Sequence, residues 1–249
     1  MPIMVSTLCR DMLNFFRNQC VSILLLSMIV VIISTFLGHI LSPSREQLFE
    51  LRDNSNVQHT SKINLHQFIK NLSKEQQNIL LKASAASTIS NLVGNVLLIG
   101  SLLTMIHLIS TLQPVNILRI LTLSISSFPR MLLLVFLTTL LIQIGFLFLI
   151  LPGIFFSISF SLAPVIVTSN NNVGVIRSMT ISGILAFKNI WLLAPAVSFW
   201  ILAKTVIFLL ENQYFFVSTA LASILLNYLS NLISSLLLIY LYRLYMLLR

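Results

Sequence analysis

Charge is scarce in this chain. Lys and Arg number fifteen and Asp and Glu six, so charged residues make up 8% of the 249, where a soluble domain carries about a quarter. Set against 57% hydrophobic residues, that shortage excludes a soluble globular protein. No Asp or Glu falls inside a long apolar run, which excludes a carboxylate proton relay within a membrane. Cysteine occurs twice, as Cys9 and Cys20, and the helical residues between them would hold the pair about 16 Å apart, too far for a disulfide. No other ligand type gathers near them, so no metal is expected and they read as ordinary buried thiols. Glycine numbers only seven. No Walker loop, Gly-rich nucleotide fingerprint, HExxH or GxSxG occurs, so no cofactor is expected and the chain reads as not an enzyme. The bases stand in ones and twos beside apolar runs and form no patch, which excludes nucleic acid as a partner and suits charges that fix orientation at an anionic lipid surface.

What the chain does have is length without polarity. Crossing a hydrocarbon core of about 30 Å takes about 20 helical residues, and these runs lack the alternation of a barrel strand. The expected class is therefore an all-α integral membrane protein. VSILLLSMIVVIISTFLGHIL, 21 to 41, is too long for a signal h-region and no A-x-A-like site follows it before Pro43, so it reads as a retained first span. A second run covers 87 to 109. Between them, residues 42 to 84 hold ten of the twenty-one charged residues and read as a loop outside the membrane. Ser73 and Gln76 have the spacing of a capping box, and Ile79, Leu80 and Ala83 recur at helical intervals, which predicts a helix running into the second span.

No charge occurs between Arg130 and Arg177. As one helix that stretch would be about 69 Å long, more than twice the core. Pro152-Gly153 suits the central positions of a type II turn, with Gly153 at positive φ, and divides the stretch into spans at about 131 to 151 and 153 to 170. The alternative is a Pro kink in one tilted helix. Runs at 190 to 210 and 217 to 241 complete six spans in a single multi-pass domain.

With six spans, Arg10, Arg17, Arg119, Arg130, Arg177, Lys188, Arg243 and Arg249 fall on one side with Asp11 as the only acid, whereas Glu211 lies on the other. By the positive-inside rule the first side is cytoplasmic and both termini lie there. A kink at Pro152 would move the later bases outside, so the charges favour the hairpin. NFFRN at 14 to 18, SFPRM at 127 to 131 and AFKNI at 186 to 190 each end an amphipathic segment before an odd-numbered span. Two readings fit this recurrence. Either there are three units, each an interfacial helix followed by a hairpin, or any helix entering a membrane places an Arg and a Phe at its edge.

Polar residues inside spans are candidate sites by default. Ser84, Ser87, Asn91 and Asn95 share a face of the second span, as do Ser223, Asn227, Asn231 and Ser234 in the sixth, and Gln143 lies within the third. Such amides either bond across helices at small-residue contacts such as Ala86, Ser90 and Gly94, for about 0.6 to 2 kcal/mol each, or line a polar cavity. Lys204 is the one charged residue well inside a span. It either snorkels outward, pairs with Glu211 two turns on, or meets a lipid phosphate.

NFFRNQ, GHILSPS, SKEQQNILLKASAAST at 73 to 88, FLTTLLIQIG, PGI at 152, LAP at 162, LLAPAV at 192, LAKT at 202, LSNLIS at 229 and the closing IYLYRLYMLLR together resemble the YciC family of bacterial inner-membrane proteins over nearly the whole chain. The resemblance implies a multi-pass protein of a Gram-negative inner membrane with a periplasmic 42 to 84 loop, and brings no catalytic residues with it. The expected function is a non-enzymatic protein that organises envelope lipids or partner membrane proteins. The alternative is a small transporter or lipid-moving protein with a polar intramembrane cavity.

Overall fold

The computed structural model describes residues 5–43, 73–113, 116–170, 173–214 and 220–248. Most of the 42 to 84 loop and the beginning of the sixth predicted span lie outside these residues. Among the described residues all regular structure is helical: α1 (Val5–Asn18), α2 (Cys20–Leu41), α3 (Lys74–Ser110), α4 (Ile117–Phe148), α5 (Ile150–Phe160), α6 (Ala163–Ser169), α7 (Val175–Lys188), α8 (Ile190–Tyr214) and α9 (Ala220–Leu248). Six stretches are long and apolar enough to cross a membrane: Cys20–Leu41, Lys74–Ser110, Ile117–Phe148, Ile150–Ser169, Ile190–Glu211 and Leu221–Leu248. The protein is thus an all-α, multi-pass membrane protein, as expected from runs that can satisfy their backbone only by internal hydrogen bonds.

Two compact units are distinguished, Met1–Ile32 with Gly94–Arg249, and Ile33–Val93. In the smaller unit α3 starts where its sequence says it should. Gln76 N–H donates to Ser73 Oγ at 3.3 Å and Ser73 N–H donates to Gln76 Oε1 at 3.0 Å, closing the capping box. A Cβ at Gly38 would lie 3.5 Å from Ser90 Oγ, an ordinary contact between small residues of α2 and α3.

In the larger unit α4 folds back onto α5. Arg130, near the middle of α4, donates to the carbonyls of Asn170, at 3.2 Å, and Val173, beyond α6. At the C-terminal end of α4, a Cβ on Gly145 would lie 3.0 Å from Gly153 Cα. Residue numbers rise along one arm as they fall along the other, so the two arms are antiparallel. The reversal, however, is not the type II turn expected at Pro152-Gly153. Leu149 breaks the helix with φ −164° and ψ 156°, and no described glycine has positive φ. Pro152 stands in the first turn of α5, where a missing N–H costs nothing because that donor has no intrahelical acceptor. Gly153 is needed for space: a Cβ there would meet the Phe146 ring at 2.5 Å.

α8 and α9 are likewise antiparallel, with Leu192 O accepting from Tyr240 Oη at 2.8 Å near one end and Lys204 meeting Ser230 further along. Pro195 lies inside α8, where it removes the N–H that Trp191 O would accept, and the tyrosine serves the adjacent carbonyl. α1 packs against α9, with Leu8 and Phe15 buried and the Arg243 guanidinium 5.7 Å from the Phe15 ring centroid. α7 packs on α5 and α6, and Ser182 Oγ donates to Ser159 O at 2.6 Å. The three amphipathic segments therefore take two forms. α1 and α7 are separate helices that end before Gln19 and Asn189, whereas the middle segment is continuous with α4 through Pro129.

Candidate functional site

Lys204 occupies the C-terminal half of α8, one turn after Trp200. Because helical side chains lean toward their own N-terminus, its ammonium is carried back over the tryptophan, and Nζ lies 5.7 Å from that ring's centroid. The antiparallel register sets Ser230 of α9 opposite, and Lys204 Nζ donates to Ser230 Oγ. Ser234, one turn on along α9, accepts from Trp200 Nε1 at 3.4 Å and donates to Ser230 O at 3.0 Å. Lys204, Trp200, Ser230 and Ser234 are all half-buried. Four polar side chains from two helices thus meet inside the apolar stretches Ile190–Glu211 and Leu221–Leu248.

Among the described residues the cluster is a cation without a counter-ion. An ammonium has three donors. Among the described residues Lys204 uses one, on a hydroxyl, and has no carboxylate partner. Glu211 is exposed at the end of the stretch and makes no ion pair with it. Ser230 Oγ accepts from the lysine and donates to no described atom.

The amide candidates are placed differently. Asn91 in the smaller unit, and Asn95, Gln143 and Asn227 in the larger, are exposed, and Asn231 is half-buried. None of the five amides makes a hydrogen bond among the described residues; Asn231 contributes its backbone carbonyl to Ser235 Oγ at 2.9 Å. The close small-residue contacts that are present involve glycine and serine: a Cβ on Gly100 would lie 2.6 Å from Ser124 Oγ. No group of His, Cys, Asp and Glu capable of holding a metal occurs among the described residues.

Two positions gain significance from the fold. Ser230 departs from the Ser223, Asn227, Asn231, Ser234 spacing, and only the helix register reveals it, although Trp200 four residues before Lys204 is a readable cation–aromatic interval. Arg130 bonds the carbonyls that follow α6, and the side chain of Asn170 donates to Tyr245 Oη at 3.2 Å. The middle of α4, the end of the α5–α6 arm and the C-terminal part of α9 are thereby joined.

A family model described as an uncharacterised protein family (UPF0259) matches residues 1–247. The chain belongs to that family. A UPF0259 membrane protein of Sodalis glossinidius (strain morsitans) is 59% identical over 249 residues, which is all of this chain and 99% of the relative. Similar proteins of Serratia proteamaculans (strain 568), 45% identical over the full length of both chains, and Yersinia pestis (strain Pestoides F), 42% identical over all of this chain and 97% of the relative, bear the same description. No solved structure matches. The family is the one indicated by the sequence motifs, and its relatives are membrane proteins by name.

Proposed function

We propose that this protein is a non-enzymatic multi-pass protein of the bacterial inner membrane that organises envelope lipids or partner membrane proteins, with both termini in the cytoplasm. The observation that carries this reading is the exposure of Gln143 and Asn227 within membrane-length apolar helices, with no internal hydrogen-bond partner among the described residues. An amide facing hydrocarbon is satisfied only by another polar group, from a neighbouring helix or a lipid headgroup, for about 0.6 to 2 kcal/mol per bond. A protein that places amides there is built to be covered. The orientation draws support from the packing of α1 on α9 and from the Arg130 and Asn170 contacts, which gather Arg10, Arg17, Arg130, Arg177 and Arg243 toward one end of the larger unit, as the positive-inside rule requires of a cytoplasmic face. In this topology α1 and α7 border the cytoplasmic interface, where Trp191, 88% exposed beside Lys188, is a suitable aromatic anchor.

The test is purification of the wild-type chain in native nanodiscs, with co-purifying lipids and proteins identified by mass spectrometry and compared with a Gln143→Leu, Asn227→Leu double variant. A lipid or membrane protein held at fixed stoichiometry by the wild type and reduced severalfold in the double variant is the expected result. Bulk lipid composition in both, or solute flux through reconstituted vesicles, would contradict the proposal.

A further inference from the structure

We infer that Lys204, Ser230, Ser234 and Trp200 form an intramembrane site for a phosphate-bearing anion, the headgroup phosphate of an anionic lipid being the source that the location favours. The inference deepens the lipid-organising reading and rests on it.

Three observations converge. First, Lys204 is a cation within an apolar stretch, and among the described residues no carboxylate neutralises it. An ammonium left unpaired within a span is costly. Second, the side chain does not take the course of a snorkelling lysine. Its Nζ lies over Trp200, which precedes it in α8, and against Ser230 across the interface, away from the end of the stretch at Glu211. A lysine serving only to reach water would extend toward that end, about 10 Å further along the helix. Third, the donors left over match the acceptors of a phosphate. Two N–H groups of Lys204 and the hydroxyl hydrogen of Ser230 are unspent among the described residues, while Ser234 and Trp200 hold the serine pair in place. Phosphate offers several strong acceptor oxygens, and charge-assisted bonds to them are about twice as strong as neutral ones.

The cluster is half-buried between α8 and α9. A lipid entering along the two helices would bring its phosphate from the nearby interface while its chains stay in the hydrocarbon. The aromatic plane of Trp200 beside the ammonium keeps the cation oriented.

The decisive experiment measures phosphatidylglycerol retention by the full-length protein in detergent micelles by native mass spectrometry, with phosphatidylcholine as the zwitterionic control. Wild type is expected to prefer phosphatidylglycerol. Lys204→Leu should lower that preference about tenfold, and Lys204→Arg should keep most of it, as a charge-assisted phosphate contact predicts. Ser230→Ala with Ser234→Ala retains the charge and should lower the preference severalfold, which carries the test if Lys204→Leu fails to accumulate. Displacement of the lipid by millimolar inorganic phosphate, in wild type and Lys204→Arg alike, would assign the site to free phosphate. Undiminished preference in both Lys204→Leu and the double serine variant would overturn the site. That failure is distinct from failure of the broader proposal, in which wild-type nanodiscs contain no enriched lipid or protein at all.

Discussion

Leu112 shows how much a single residue can tell. It has φ 55° directly after α3, where Leu112 N–H donates to Ile109 O at 3.1 Å and Gln113 N–H to Leu108 O at 3.0 Å. This is a Schellman cap with leucine in the left-handed position that glycine normally fills. The side chain is 95% exposed, so no packing compensates for the strained backbone. Leu112→Gly should therefore raise stability by about 0.5 to 1 kcal/mol, and Leu112→Ile should lower it, because a β-branched residue tolerates positive φ least; reversible unfolding in mixed micelles measures both. Residue-level legibility depended on range. The Ser73–Gln76 box was readable because both partners lie within one turn. The Lys204–Ser230 contact was not, because it depends on the register between α8 and α9, which no local interval encodes. The Lys204–Glu211 alternative was readable from the same face, but the N-terminal lean of helical side chains turns the lysine the other way.

Elements were the most legible level, since a span must exceed about 20 apolar residues and that length is visible in the chain. All six apolar runs correspond to helices, and the fourth, expected at 153 to 170, occupies Ile150–Ser169. The misplaced feature is the reversal before it. Proline followed by glycine has the same composition whether it makes a turn or opens a helix, and the outcome was decided by tertiary contact: Gly145 and Gly153 let α4 and α5 approach with Phe146 and Phe156 packed beside them. Gly153→Val should accordingly destabilise this pair by about 1 to 3 kcal/mol through overpacking against Phe146, and not through a demand on φ. Gly183, in α7, has nothing within 4 Å of an added Cβ, and Gly183→Ala should stabilise by about 0.5 to 1 kcal/mol. Thermal aggregation in detergent compares the two. If both variants behave alike, the close approach of α4 and α5 is not what glycine provides at 153.

At the scale of the whole molecule, the distribution of bases gives the strongest constraint on topology. Arg119, Arg130, Arg177, Lys188 and Arg243 can share one side with Arg10 and Arg17 only if the chain crosses an even number of times between the ends and reverses near Leu149. The antiparallel α4 and α5 arms and the docking of α1 on α9 support that arrangement. The polar faces were less legible at this scale: the sequence displayed Asn91, Asn95, Gln143, Asn227 and Asn231 at helical intervals, but whether an amide is covered by its own chain is a property of the assembled helices. Most direct is cysteine accessibility in intact cells, with Cys9 and Cys20 replaced by serine and single cysteines introduced at Asn54, Asn171, Asn212 and the C-terminus. An impermeant maleimide is expected to label Asn54→Cys and Asn212→Cys from the periplasm and to reach Asn171→Cys and the C-terminal cysteine only after the inner membrane is permeabilised. Labelling of Asn171→Cys in intact cells would contradict the reversal at Leu149 and, with it, the six-span topology.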